Sequence, residues 1–191
     1  MERAENIRRS GFEYSENPWD WLGKGVYFFE AAPSLAGDWS RQLVGRLASK
    51  GIAAKPAVVS ATLNLEGCID LLDNDWIGAI QECARRLSAE GLLEQQHGLR
   101  LRSAANRAFI VADYDMPLAS HRYNASDCQV INALWGYLRD GGDTAPAIRA
   151  PFVLGRQLYS NSFFFHESHV QIAVVDTSIM SDVTIEPASV S

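Results

Sequence analysis

The stretch from Trp21 to Trp39 contains the residues best suited to chemistry, and it reads WLGKGVYFFEAAPSLAGDW. Two glycines, Gly23 and Gly25, flank a lysine and would let the backbone approach a ligand closely, because neither carries a side chain. Tyr27 and Trp39 could face each other across a gap one ring thick, which suits a flat heteroaromatic group. The same pattern is also typical of a tight turn followed by aromatic residues of the core.

The spacing of apolar residues predicts the elements that position this stretch. A strand is expected over Val26 to Phe29, and a helix is expected from Pro33 to Gly51. The stretch Glu94 to His121 shows one strand-like run, Ala108 to Ala112. The remaining predicted elements are a helix over Glu2 to Ser10, one long or two short strands in Lys55 to Leu71, helices over Asn74 to Leu87 and Asp127 to Leu138, and apolar runs at Pro151 to Leu154 and His169 to Val175. Asn74 and Asp127 are expected as N-caps. Together they predict a single mixed α+β domain over residues 1–191.

Composition narrows the class of protein. A net charge of -6 and a pI near 5.2 argue against a surface that coats nucleic acid. Cys68, Cys83 and Cys128 are an odd number without paired spacing, which favours a reducing compartment over disulfides or a metal site. The charged first residues are unlike a secretory signal, and no stretch approaches the ~18 apolar residues of a membrane span. We therefore expect a cytoplasmic protein without metal or membrane contact.

The segment Gly23-Lys24-Gly25-Val26-Tyr27-Phe28 resembles the Gly-x-Gly-x-Tyr-Phe strand of the diphtheria-toxin and poly(ADP-ribose) polymerase class of ADP-ribosyltransferases. A bacterial group of ADP-ribosyltransferase-like proteins is similar over nearly the whole chain. Its motifs occur here in the same order, as Gly11-Phe12, Trp19-Asp20-Trp21-Leu22-Gly23, Asp127-Cys128, Ile148-Arg149-Ala150 and Ser168-His169-Val170-Gln171-Ile172. That group begins with a Tyr-His-Gly-Thr strand, which would precede Glu2. The resemblance thus implies that the first strand is missing or truncated.

The resemblance implies an α+β ADP-ribosyltransferase-like fold, with two facing antiparallel sheets and helices around them. It also implies NAD as the cofactor, used as the ADP-ribose donor. Tyr27 would stack on the nicotinamide, and Trp39 would hold the ring from the other side. Gly23, Gly25 and Phe28 would complete the cofactor-binding strand.

The later motifs supply the other expected site residues. Members of the class carry a glutamate on a late strand, and Gln171 occupies that position here, where it could bind a ribose hydroxyl without supplying charge. Glu167 is the alternative carboxylate, and it shares a face with His169 and Gln171 only if the strand runs unbroken. His169 is a catalytic candidate or a half-buried strand residue. Arg149 would hold the NAD pyrophosphate or form a surface ion pair.

The function that the resemblance implies is transfer of ADP-ribose from NAD to a macromolecular acceptor, either a protein or RNA/DNA. The bacterial group resembles toxins of toxin–antitoxin and phage-defence systems, which implies an antitoxin or inhibitor protein as a partner. Two alternatives remain open. The chain could be a catalytically impaired module that binds NAD or a partner, or an NAD glycohydrolase with water as the acceptor.

Overall fold

The computed structural model describes residue 7, residues 9–93 and residues 117–188, with only the backbone described for 117–124. These residues form an α+β fold with two sheets. The strands are β1 (Val26–Phe29), β2 (Ala57–Leu63), β3 (Ile69–Asp70), β4 (Ala147–Phe152), β5 (His169–Val174) and β6 (Met180–Pro187). The helices are α1 (Pro33–Ala48), α2 (Ile77–Ala89) and α3 (Pro117–Asp140), with short 3-10 turns at Asn74–Trp76 and Thr177–Ile179. The predicted run Ala108 to Ala112 lies outside the described residues.

The larger sheet has the strand order β1-β5-β4-β3, and β2 and β6 form a second, two-stranded sheet. Strand β5 pairs antiparallel with both β1 and β4. Strands β3 and β4 are parallel, so the expectation of purely antiparallel sheets is wrong at this edge. The reason is the connection between them, which runs through α2 and α3 and returns the chain to the starting end of the sheet, as parallel strands require.

The two faces of the larger sheet are covered by different layers, because successive strand residues point to opposite sides. Ile148 and Ala173 face the helices and pack in a cluster with residues of α2 and α3. Ala147, Ile172 and Val174 face the other way and pack in a second cluster with residues of the β2–β6 sheet. The second sheet therefore lies against the first, and the two clusters form the core on either side of β4 and β5.

The two motif glycines accommodate close packing within the protein. Gly23 has φ +74°, and a Cβ there would lie 2.6 Å from Oδ1 of Asn132 on α3. The same Oδ1 accepts a hydrogen bond from the backbone N–H of Lys24 at 3.0 Å. A Cβ at Gly25 would lie 3.1 Å from the carbonyl oxygen of Val174. Gly23 thus lies close to α3, and Gly25 lies close to β5. Both glycines have a structural role, which the sequence pattern alone could not distinguish from contact with a ligand.

Two local predictions need correction, and one strand was not predicted. The 3-10 turn before α2 is capped by Asp73, whose side chain accepts from the N–H of Asn74, so Asn74 is not the cap. Helix α3 begins at Pro117, which places Asp127 inside the helix rather than at its N-cap. Strand β6 was not predicted, because most of its residues are exposed and carry no apolar alternation. The first of these corrections reflects competition between neighbouring Asp and Asn residues, both of which are good caps.

Candidate functional site

A groove of about 1360 Å³ lies between β1, α1 and β2. Five of its lining residues are aromatic. Three of them, Tyr27, Phe28 and Trp39, are those that the resemblance assigns to NAD, and the other two are Phe12 and Phe29. Strand β5 contributes Ile172 to the lining. The groove therefore gathers most of the Trp21–Trp39 motif into one concavity with aromatic walls.

Trp39 contacts Phe29 within this groove, with ring centroids 5.9 Å apart and planes tilted by 48°. Both rings are partly buried. The indole N–H of Trp39 is buried and finds no acceptor among the described residues. An unmade buried hydrogen bond costs about 1–3 kcal/mol, so this donor is a place where a bound acceptor would add stability.

Tyr27 lines the groove but directs its hydroxyl to the backbone of the preceding turn. The hydroxyl donates to the carbonyl of Gly23 at 2.8 Å and accepts from the N–H of Leu22 at 3.0 Å. Its ring packs against the cluster on the helix side of the sheet. Burial, with a smaller effect from Asp20, raises the pKa of the Tyr27 hydroxyl above its ordinary range, so the phenol stays protonated. The ring that contacts Trp39 is thus Phe29, and stacking of a ligand between Tyr27 and Trp39 stays a prediction.

A carboxylate, Glu30, lines the groove directly after the aromatic end of β1. Arg149 of β4 binds it through two hydrogen bonds of 2.6 and 2.9 Å. A third bond, of 2.8 Å, joins the same guanidinium to Asp70 of β3. The two carboxylates raise the pKa of Arg149, with the hydrogen bonds that Arg149 donates to Glu30 as the largest cause. Arg149 is therefore engaged by two carboxylates and positions Glu30. An ion pair was one of the two interpretations of Arg149 from the sequence, and the structure shows one that is partly buried rather than at the surface.

His169 and Gln171 project from the opposite, helix-facing side of β5. The indole N–H of Trp21 donates to Oε1 of Gln171 at 2.6 Å, and Nε2 of Gln171 lies 2.8 Å from Nε2 of His169. Nδ1 of His169 lies 2.5 Å from the backbone carbonyl of Glu167. Because a carbonyl only accepts, Nδ1 carries the proton, and Nε2 accepts from the Gln171 amide. The hydrogen bonds thus run in one direction, from the Trp21 indole through Gln171 and a neutral His169 to the Glu167 carbonyl.

Strand β5 begins at His169, so Glu167 precedes the strand and its backbone, rather than its side chain, makes the contact just described. Phe29 lies between the two groups of residues. Its ring is 4.8 Å from that of His169 and 5.9 Å from that of Trp39. From the sequence, we expected His169 and Gln171 to border the same cleft as Tyr27 and Trp39. The structure puts the hydrogen-bonded chain and the groove on different faces of the sheet, joined at the end of β1 by Phe29.

We expect His169 to make stability depend on pH. Burial lowers the pKa of His169 below its ordinary value near 6.5, and a second proton on the ring would face the Gln171 amide, which is already a donor. As the pH falls below about 7, the unfolded chain takes up the proton before the folded chain does, so the free energy of unfolding falls. The contribution of neutral His169 to stability is therefore complete only above its ordinary pKa. Urea unfolding between pH 8 and pH 5 measures this loss.

The test variant is His169→Gln, which should flatten this part of the pH profile. The matched control is His166→Gln, which removes an exposed histidine three residues away. An equal flattening by both variants would contradict the assignment to His169.

The connection between β4 and β5 exposes a row of apolar side chains although it is internally braced. Ser162 and Phe165 are buried, and Gln157 donates to the carbonyl of Ser162 at 2.7 Å. The apolar residues that reach solvent are Val153, Leu158, Tyr159, Phe163 and Phe164, the last two with exposed fractions of 75% and 66%. This surface could not be predicted from the sequence, because residue types alone do not show which apolar side chains are exposed.

Within the described ranges, no group of three or more His, Cys, Asp or Glu side chains is arranged to hold a metal ion. No helix in that same part of the chain has both the length and the apolar character needed to cross a membrane. Comparison of the chain with protein-family models, with curated proteins and with solved structures finds no significant match.

Proposed function

We propose that this chain transfers ADP-ribose from NAD to a macromolecular acceptor, with the donor bound in the groove between β1, α1 and β2. The observation that carries the proposal is that Tyr27, Phe28 and Trp39 line one groove. These are the aromatic residues that the ADP-ribosyltransferase resemblance assigns to NAD. Small-molecule pockets typically measure about 300–1,000 Å³, so a groove of about 1360 Å³ has room for a dinucleotide. The α+β fold with two facing sheets is compatible with that class.

In this reaction the bond between ribose C1 and the nicotinamide nitrogen breaks, and its electron pair stays on nitrogen. The ring, cationic in NAD, leaves as neutral nicotinamide. A nucleophilic atom of the acceptor then forms a bond to C1 and loses its proton to water. Aromatic walls hold the leaving ring in position, which lowers the entropic part of the barrier.

A second candidate is a binding module that holds NAD without transferring ADP-ribose. Two observations favour it. Gln171, where the class has a glutamate, carries no charge, and its amide is already occupied by Trp21 and His169. Strand β5 presents Ile172 to the groove. An NAD glycohydrolase, with water as the acceptor, is the third candidate.

The test uses the full chain with two labelled forms of NAD. A label on nicotinamide measures release, and a label on the adenylate measures attachment to protein or nucleic acid of a bacterial extract. We expect both signals, and we expect Trp39→Leu to reduce release roughly 5- to 150-fold, the range that about 1–3 kcal/mol of stacking per ring gives. Trp19→Leu is the matched control, because Trp19 is a half-exposed tryptophan outside the groove.

Each outcome distinguishes the candidates. Release without attached label identifies a glycohydrolase, and NAD binding without release identifies a binding module. Equal loss of release in Trp39→Leu and Trp19→Leu would overturn the location of the site. A chain that neither binds NAD nor releases nicotinamide would overturn the proposed function itself.

A further inference from the structure

The charges that line the groove are few and are separated along its length. Among the described lining residues only Glu13, Glu30 and Arg46 carry a full charge. Glu30 follows Phe29 at the aromatic end. Arg46 belongs to α1, and it forms no ion pair with any described residue. Arg46 is therefore the one cation among the described lining residues, and it lies apart from the carboxylate that Arg149 holds in place.

Helix geometry gives the separation between the two ends. Trp39 and Arg46 are seven residues apart on α1, which is two turns, so they share a face of the helix about 10 Å apart along its axis. Trp39 contacts Phe29, and Phe29 precedes Glu30 in the chain. Aromatic rings and a carboxylate thus occupy one end of the groove, and a guanidinium occupies the position two helical turns away.

The carboxylate end keeps a net negative charge although Arg149 is bound to it. The net charge of this cluster is -1, because it contains two carboxylates, Glu30 and Asp70, and one guanidinium, Arg149. Of the three residues only Glu30 lines the groove. A planar cation placed there would contact the faces of aromatic rings and a carboxylate at once, and both attract positive charge. A neutral ring of the same shape would gain only the stacking.

We propose that the groove recognises the charge pattern of an oxidised nicotinamide nucleotide, with the cationic ring at Glu30 and Trp39 and the phosphate at Arg46. This inference rests on the proposed function for its choice of ligand, and it adds the two residues that select the ligand's charge. It assigns the phosphate contact to Arg46 in place of Arg149, whose guanidinium is already bound by two carboxylates. It also predicts that the groove prefers NAD⁺ to NADH, because only the oxidised ring is charged.

The experiment measures dissociation constants by calorimetry for two matched pairs of probes. The pair 1-methylnicotinamide and nicotinamide differs by the ring charge. The pair nicotinamide mononucleotide and nicotinamide riboside differs by the phosphate. We expect the full chain to prefer the charged ring by roughly 3- to 30-fold, the range typical of cation–ring attraction. We expect a similar preference for the nucleotide that carries the phosphate, since Arg binds phosphate through charge-assisted hydrogen bonds.

Variants separate the two ends. Glu30→Gln should abolish the preference for the charged ring and keep that for phosphate, whereas Arg46→Gln should do the reverse. Glu66→Gln is the control for Glu30, because Glu66 is an exposed glutamate outside both the groove lining and the ion pairs of Arg149. Arg139→Gln, an exposed arginine at the end of α3, is the control for Arg46.

A full chain without either preference, or variants that change both preferences equally, would overturn the inference. The proposed function fails independently of it. Selective binding without nicotinamide release would refute transfer of ADP-ribose but support the recognition of charge. Nicotinamide release without selective binding would support the proposed function but refute the recognition of charge.

Discussion

Replacing Ile148 by alanine should lower the free energy of unfolding by about 2–5 kcal/mol, because the side chain is fully buried and its removal leaves a cavity. Ile148 lies on β4 between the strand β3 and the strand β5, and it faces the cluster shared with α2 and α3. For a chain of 191 residues this corresponds to a fall in melting temperature of about 4–20 °C. Thermal unfolding followed by circular dichroism measures the change.

Val153→Ala is the control for this substitution, since Val153 lies one residue beyond β4 and is 56% exposed. We expect it to change stability by less than about 0.5 kcal/mol. A comparable loss in both variants would mean that β4 is not the centre of the core.

The second large effect is expected for Arg149→Met, which leaves Glu30 and Asp70 facing each other without their shared cation. Losing one partner of a buried ion pair costs about 3–5 kcal/mol. The side chains here are 22%, 32% and 38% exposed, for Arg149, Glu30 and Asp70 respectively, so solvent screening reduces the expected loss to about 1–3 kcal/mol. Urea unfolding at neutral pH provides the measurement.

A triple variant separates charge repulsion from lost packing. Adding Glu30→Gln and Asp70→Asn to Arg149→Met removes the two opposed charges and should recover most of the loss, because no unpaired charge then remains. If the triple variant is no more stable than Arg149→Met, packing of the guanidinium stem accounts for the effect and the charge argument is wrong.

Local sequence patterns predicted the elements that contain a clear apolar run or an apolar helical face. Strands β1 and β5 were expected close to where they occur because each is a short apolar run, and helix α1 was expected because its apolar residues recur on one face. Strand β6 carries few buried residues, so its pattern resembles a loop. The first ten residues of α3 are mostly polar, and an apolar stripe therefore could not reveal them. An element that packs against another layer carries a recognisable pattern of apolar residues. An element with few buried residues lacks that pattern.

The site divides in the same way. Alternation along β5 correctly put His169 and Gln171 on one face and Ile172 on the other, but the expectation that His169 and Gln171 border the groove is wrong, because the groove occupies the face of Ile172. That depends on where the second sheet packs. The pairing of Glu30 with Arg149 joins residues 119 positions apart, and no local pattern contains it. Long-range partners of this kind are fixed by the register of β1, β5 and β4 together.

The pairing of β1 with β5 also has a consequence for the order of events during synthesis. Strand β1 ends at Phe29 and β5 begins at His169, so the ribosome must add nearly 140 residues before β1 can meet its partner in the sheet. At about 5–20 residues per second this takes roughly 7–30 s. The aromatic end of β1 remains without its neighbouring strand throughout that interval. The groove consequently matures only after translation has passed β5, and nascent chains shorter than this should show no ligand binding.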